Sequence, residues 1–268
     1  LGLEKKEDLY RMSEGIKKTD FVQSIEKGLK VISAFGAENP RMTLTEMATL
    51  LDMTRANARR ILLTLQHLGY VTSEDGKWFS LTAKVLSLGY SFLSSQSLPE
   101  LARPYMQQLT EAVNESCSLS VLDGTEIVYT ARVQTKRIMT IALGVGTRLP
   151  AHATSMGKAL LANLSPAEAH PILEKLSYEA FTSHTLDKPA FLAHLDSIRK
   201  QGYAIANQEL EIGVRSIACP VRDKTGCVQA ALNISGHASR VTVEEMETRY
   251  LPALQKTVAQ IEAALHQL

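Results

Sequence analysis

Between Thr43 and Leu81 the chain sets two short apolar-striped segments three residues apart and follows them at once with a hairpin signal, a succession that few folds accommodate. Thr43-Leu-Thr-Glu46 has the form of a capping box, in which the threonine hydroxyl accepts from an early backbone N–H and the glutamate reaches back. Leu44, Met47, Ala48 and Leu51 then recur at helical spacing. Asp52-Met53-Thr54 breaks this helix and supplies a fresh N-cap for the next, over residues 55–68, whose apolar side is Ala58, Ile61, Leu62, Leu65 and Leu68. Residues 70–82 alternate: Tyr70-Val71 lead into the hairpin dipeptide Asp75-Gly76, and Trp78-Phe79 return. Upstream, FVQSIEKGLKVISAF places Val22, Ile25, Leu29 and Ile32 on one stripe of an earlier helix, stopped by Gly36 and Pro40. Three helices followed by a two-stranded ribbon is the order of a winged helix-turn-helix.

Charge is segregated within this segment. The helix after Thr54 carries Arg55, Arg59 and Arg60 and no acid, whereas its predecessor is flanked by Glu46 and Asp52. At about 100° per residue, Arg59 and Arg60 point away from the Ile61/Leu62/Leu65 stripe, with Arg55, Asn57 and Thr64 at its flanks. Arginine and asparagine on an exposed helix can grip guanine and adenine edges, and threonine can contact phosphate. Lys77 stands at the ribbon tip, within reach of a nucleic-acid backbone. The candidate DNA-contact set is therefore Thr43, Thr54, Arg55, Asn57, Arg59, Arg60, Thr64 and Lys77, and the expected partner is double-stranded DNA. A solvated basic face in an ordinary helical domain is the competing reading; helix order, both caps, the hairpin and the charge segregation together weigh against it.

The binding patch has to be local. Over 268 residues Lys+Arg is 29 and Asp+Glu is 28, so the formal net charge of +1 gives no global attraction to polyanions. No run approaches the ~18 apolar residues of a membrane span. Residues 1–20 balance five bases against five acids without an apolar core, which fits neither a secretory signal nor a transit peptide and reads as a leader. Three widely spaced cysteines (Cys117, Cys219, Cys227) do not make a disulfide scaffold and fit a reducing cytoplasm.

Beyond the hairpin, residues 82–95 read as a connector helix, and a second helix around 98–115 contains Pro104, expected to begin or kink it. From Ser116 the pattern turns to strands: CSLSVLD, EIVYTARV and RIMTIAL, then YAIAN, RSIACPV and CVQAALNIS, the last two joined at Asp223–Gly226. Helices are expected at 154–163, 165–175 and 189–201, and Thr242-Val-Glu-Glu245 opens a terminal helix to about 267. The expected organisation is α+β: leader 1–20, winged helix-turn-helix 21–82, linker helix 83–97 and a mixed domain 98–268.

Enzyme signatures fail in the larger part. Gly144-Val-Gly146 lacks the third glycine of a dinucleotide loop, and Met156-Gly157-Lys158 is followed by Ala159 where a P-loop needs Ser or Thr. There is no G-x-S-x-G elbow. Cys219 and Cys227 have no paired histidine spacing for zinc, and the scattered histidines read as surface or capping residues. No metal and no cofactor is expected. An accessory helical domain on a small-molecule enzyme, working through Ser155, His152 or a cysteine, and a dimeric scaffold without DNA are the two alternatives. Thr140, Ser155, Ser216, Asn233 and Ser235 are polar but unreactive, as a binding pocket requires, and Arg132, Arg137 and Arg215 can pair with a carboxylate.

VQSIEKGLKVISAFG, LTEMATLLDMTRANARRILLTLQHLGYV, LPAHATSMGKALLA and GYAIANQELEIGVRSIACPV, in that order and spacing, resemble the IclR family of bacterial transcription regulators from about residue 21 onward. NESCSLSVLDG, YTARV and RIMTIALGVGTRLPAHATSMGKALLA resemble its branch controlling aromatic-acid catabolism through the β-ketoadipate pathway. The resemblance implies a GAF-like effector domain, dimers or dimers of dimers on palindromic operators, and a small carboxylate effector. Carried over by motif, the effector pocket comprises Ile141, Ser155, Met156, Ala206, Val214, Ser216, Asn233 and Ser235, to which the residues' own chemistry adds Arg137 and Thr140. The family signature has an Asp in the place of Ala206 and an aromatic or His at Arg222; losing the acid removes a like-charge penalty against an anionic ligand.

Overall fold

The computed structural model describes residues 19–95, 97–135 and 143–266. The chain divides into two compact units, the first ending at Ser91 and the second starting at Phe92.

In the first unit, α1 (Gln23–Ser33) precedes β1 (Met42–Thr43), α2 (Leu44–Leu50), α3 (Arg55–His67), β2 (Val71–Ser73) and β3 (Trp78–Leu81). Both expected caps form. Thr43 Oγ1 accepts from Glu46 N at 3.3 Å while Glu46 Oε2 accepts from Thr43 N at 2.7 Å, and Thr54 Oγ1 accepts from Asn57 N at 3.2 Å. Between the helices Asp52 takes φ 49, the left-handed conformation that Asp tolerates better than bulkier residues, and the chain reverses there. The ribbon gains a strand that the sequence did not announce: β1 pairs with β3 (Met42↔Phe79), giving the order β1-β3-β2. Val31, Phe35, Met47, Leu62, Leu65, Val71 and Phe79 close the core.

Two apolar expectations fail here. Val22, Ile25 and Leu29 are exposed and α1 instead buries Val31; Leu68, expected on the buried side of α3, is also exposed. A three-helix unit this small has one core, and the N-terminal stripe of α1 lies outside it. Past β3 a 3₁₀ turn (Ala83–Val85) leads into α4 (Leu86–Ser95), rather than one continuous helix from residue 82. Its base is tied to the end of α3: Lys84 Nζ donates to Leu68 O at 2.8 Å and Thr82 Oγ1 to Gly69 O at 2.5 Å. A cation on the last carbonyls of a helix also complements its dipole.

The second unit runs α5 (Ser97–Val113), β4 (Ser116–Asp123), β5 (Glu126–Val133), β6 (Arg148–Pro150), α6 (Ser155–Ala162), α7 (Pro166–Lys175), α8 (Lys188–Gln201), β7 (Ala204–Asn207), β8 (Val214–Arg222) and β9 (Val228–His237). It ends in α9 (Val243–Glu245), a π turn (Met246–Tyr250) and α10 (Leu251–Leu265). Pro104 lies inside α5 without ending it. The expected strand RIMTIAL falls on residues 137–143, all but the last outside the described residues, and β6 is a short strand beyond those expected.

The six strands form one antiparallel sheet in the order β6-β5-β4-β9-β8-β7, the α+β, GAF-like arrangement expected. Alternation sends Cys117, Leu119, Ile217, Leu232 and Ile234 to a core shared with α5 and α10. Ile127, Tyr129, Ala218 and Ala231 face the other way, against α6 and α8, with Leu161, Phe191 and Ile198. α6 sits so close that a Cβ on Gly157 would fall 2.1 Å from Ala151 O. Gly157→Ala is expected to destabilise the second unit by about 3 kcal/mol through backbone overpacking. Urea unfolding followed by tyrosine fluorescence checks it.

Candidate DNA-binding helix and effector cavity

On α3, Ala58, Leu62 and Leu65 are buried, which leaves Arg55, Arg59, Arg60 and Thr64 exposed and Asn57 half-buried. The three arginines form no ion pair among the described residues, so their guanidinium groups are available. Asn57, Arg60 and Thr64 share a groove with Gln23, Ser24 and Lys27 of α1. Thr64 is partly committed: its Oγ1 donates to Arg60 O at 2.8 Å. Thr43 and Thr54 are spent as caps on backbone N–H groups. Lys77 is exposed beside the turn that Asp75 organises by accepting from Lys77 N and Trp78 N. Arg41, absent from the expected set, lies with its guanidinium 5.0 Å from the Trp78 ring centroid and adds a fixed cation at the ribbon.

In the second unit a cavity of about 100 Å³ opens between the sheet and α6. It is lined by all seven expected residues that fall within the described chain: Ser155, Met156, Ala206, Val214, Ser216, Asn233 and Ser235. Strand register explains the grouping. Ala206, Ser216 and Ser235 are cross-strand neighbours, as are Asn233 and Ser118, and Ser118 and Arg132. Arg137, Thr140 and Ile141 lie outside the described residues.

The polar lining is ordered by mutual hydrogen bonds. Ser155 Oγ and Ser216 Oγ are 2.8 Å apart, and Asn233 Oδ1 accepts from Ser118 N at 3.0 Å. That bond commits the Asn233 amide oxygen and so fixes which side of the amide carries its two N–H donors. Arg132 Nη1 donates to Ser118 Oγ at 3.1 Å, while Arg132 Nε is buried without a hydrogen-bond partner. Burial, opposed by Tyr129 and Cys117, lowers the Arg132 pKa, but an arginine keeps its charge at neutral pH. Tyr129 joins the lining with its phenol pushed above the ordinary range by burial, so it stays a neutral donor.

Tyr129 and Arg132 are three residues apart and should face opposite sides of a strand. A bulge in the β4–β5 pairing pairs Ser120 with Tyr129 and Ser118 with Arg132, which turns both to the cavity. Sequence alternation alone could not place them together. Arg215, the other named cation, is instead structural: Nε donates to Asn207 Oδ1 at 2.8 Å and Nη1 to the carbonyl of Val241. Glu209, Leu210 and Glu211 form a wall that sequence reasoning missed, although they lie within the quoted motif preceding β8.

A winged helix-turn-helix bearing free arginines, on a chain whose second unit holds a small, largely apolar cavity with a few converging polar groups, defines a DNA-binding transcription regulator with a sensing domain. The chain matches the model of the IclR helix-turn-helix domain over residues 24–75 and that of the bacterial transcriptional regulator IclR C-terminal domain over residues 90–263. It is 43% identical over 237 residues to the Pca regulon regulatory protein of Pseudomonas putida, covering 88% of this chain and 81% of that one. A solved structure from Rhodococcus sp. RHA1, described as a transcriptional regulator, is 47% identical with a TM-score of 0.82, over 91% of this chain and 98% of that one. The inducer-binding domain of the PobR transcription factor from Acinetobacter, solved as a double mutant in complex with 3-hydroxybenzoic acid, is 33% identical with a TM-score of 0.59, over 62% of this chain and 98% of that one. The chain belongs to the IclR family of bacterial transcriptional regulators, whose members act on transcription rather than as enzymes.

Ser155 Oγ is bonded to another hydroxyl and not to a base. His152, expected at the surface or as a cap, is buried among Tyr178, Phe181 and Phe191, with Nε2 3.0 Å from Glu179 O. Among the described residues no three His, Cys, Asp or Glu side chains gather as a metal site, and no helix is long and apolar enough to cross a membrane. Burial pushes the Cys117 thiol up to about 11 and the Cys219 thiol up to about 12, so neither supplies thiolate near neutrality; Cys227 is exposed. Titration with a disulfide reagent at pH 8 is expected to modify Cys227 rapidly and the other two only after denaturation.

Proposed function

We propose that this regulator is a homodimer, or a dimer of dimers, that docks α3 of each subunit into the major groove of a palindromic operator and is controlled by a small carboxylate. The proposed division is a winged helix-turn-helix over 21–82, a linker helix over 83–97 and an effector domain over 98–268, in the cytoplasm where the operator lies. The observation that carries the effector reading is the half-buried guanidinium of Arg132, which has no carboxylate partner among the described residues and whose buried Nε points to a missing acceptor. Arginine with an unsatisfied N–H in a cavity favours a carboxylate by charge and hydrogen bonding together. Ser155, Ser216, Asn233 and Ser235 supply neutral donors and acceptors around it, and Met156, Ala206 and Val214 the apolar contact. A cavity of this volume is on the scale of a single ring, since a dry cavity of about 150 Å³ holds benzene. The Pca regulon protein and the 3-hydroxybenzoic acid complex of the PobR domain are the relatives that favour an aromatic acid, or a dicarboxylate from its breakdown through the β-ketoadipate pathway.

Homodimerisation is supported by apolar side chains left in solvent on the first unit. Val22, Ile25 and Leu29 recur along α1, and Leu86 and Tyr90 lie one turn apart on α4, all exposed. Two subunits covering these faces would present their α3 helices to half-sites roughly 10 base pairs, or a multiple, apart. Arg55, Arg59, Arg60, Asn57, Thr64 and Lys77 are the proposed DNA contacts, with Thr43 and Thr54 setting the helix starts. Arg137, Thr140 and Ile141 complete the proposed effector set from a segment outside the described residues.

Two outcomes test this. Against an operator selected from random duplex at fixed ionic strength, Arg59→Ala is expected to weaken binding by roughly tenfold or more, with ligand binding intact; unchanged footprints would rule out α3 as the reader. In calorimetry against protocatechuate, 4-hydroxybenzoate and β-ketoadipate, at least one is expected to bind without turnover, and Arg132→Met to weaken it by about tenfold or more. Binding of none of the three would overturn the branch reading.

A further inference from the structure

Behind one wall of the cavity lies a buried ion pair that the ligand reading leaves unused. Lys158, in α6, is fully buried, and its Nζ lies 2.5 Å from both carboxylate oxygens of Glu209 and 3.4 Å from Ile205 O. Glu209 is itself buried and lines the cavity. Its backbone is held in place independently of its charge: the Thr182 and Thr185 hydroxyls donate to Glu209 O at 3.3 and 2.6 Å.

A buried ion pair is a poor fastener. Desolvating two charges offsets most of their attraction, and an apolar pair of similar volume joins two segments equally well or better. An apolar pair cannot balance charge, and charge is what this cavity has to manage. Arg132 enters from β5, near one edge of the sheet, and Glu209 follows β7, the strand at the opposite edge. An uncompensated carboxylate at Glu209 would oppose at one end the anion that Arg132 attracts at the other. The remaining lining groups do not do this compensation: Tyr129 is neutral, and Glu211 is exposed to screening solvent. His194 is held below its ordinary range by burial and by the Lys158 charge, so it adds no second cation.

We infer that Lys158 is a specificity-determining residue that acts without touching the ligand: by cancelling Glu209 from the protein side it leaves Arg132 as the uncompensated charge and sets the cavity to accept anions. The inference rests on the carboxylate reading of the cavity. It assigns Lys158 and Glu209 a joint role in ligand charge selection that their packing alone does not require.

The test compares an acid with its neutral amide, 4-hydroxybenzoate with 4-hydroxybenzamide, by calorimetry on the full-length protein and three variants. In Lys158→Met the acid is expected to bind about tenfold or more weakly, with the amide changed by less than about threefold. In Glu209→Gln, which keeps shape and leaves the lysine uncancelled, the acid is expected to bind several-fold tighter relative to the amide, a shift of opposite sign. The double variant Lys158→Met/Glu209→Gln is expected to return the acid-to-amide ratio to within about threefold of wild type. Equal loss of acid and amide in Lys158→Met, or a Glu209→Gln variant that prefers the amide, would reduce the pair to a structural fastener and overturn the inference. Should Lys158→Met fail to fold, the sign of the Glu209→Gln shift decides alone. A wild-type protein that binds neither compound removes the reading beneath the inference, and the inference with it.

Discussion

The sensing half of this regulator depends on a strand buried on both faces having to alternate between two chemistries. Along β4, Cys117 and Leu119 go into the apolar core beneath α5 and α10, while Ser118 and Ser120 go to the side of α6. Because side chains alternate strictly, every residue that improves the core fixes what its neighbour presents to the cavity. Ser118 is the centre of that second face: its backbone N–H holds Asn233 and its hydroxyl holds Arg132. One strand thereby orients the amide and the guanidinium that line the cavity, using groups placed by the sheet ladder rather than by a loop.

Legibility in the sequence followed the range of the interaction. The DNA-binding unit was readable because its determinants are local: Thr43 with Glu46, Thr54 with Asn57, and the Asp75 turn are all bonds across two or three residues. The serines, Ala206 and Asn233 were readable through motif and alternation. Arg132 was named only as one of three candidate cations, because its facing depends on a bulge that no local pattern announces. Glu209 escaped because its partner is 51 residues away on a helix whose lysine looks, in sequence, like the end of a phosphate loop. The stripe on α1 failed for a different reason: periodicity reports that a helix has an apolar side, not which surface covers it.

The two units also differ in where they keep charge. The arginines of α3 stand in solvent, where salt screens them. Lys158 and Glu209 are withdrawn from water and Arg132 is half-buried, and there each charge acts more strongly over short distances than at the surface. An effector changes DNA affinity only through a difference in its own affinity for two arrangements of the chain, and couplings of ~1–3 kcal/mol are typical. On the proposed carboxylate reading, an anion beside the half-buried Arg132 would supply energy of that order.

The tie between Lys84 and the last carbonyl of α3 has a mechanical consequence. With Lys84 Nζ on Leu68 O and Thr82 Oγ1 on Gly69 O, two side-chain hydrogen bonds join the C-terminal end of α3 to the foot of α4. Losing either donor would leave a helix-end carbonyl without its partner, so a substitution at the foot of α4 is felt at the end of α3.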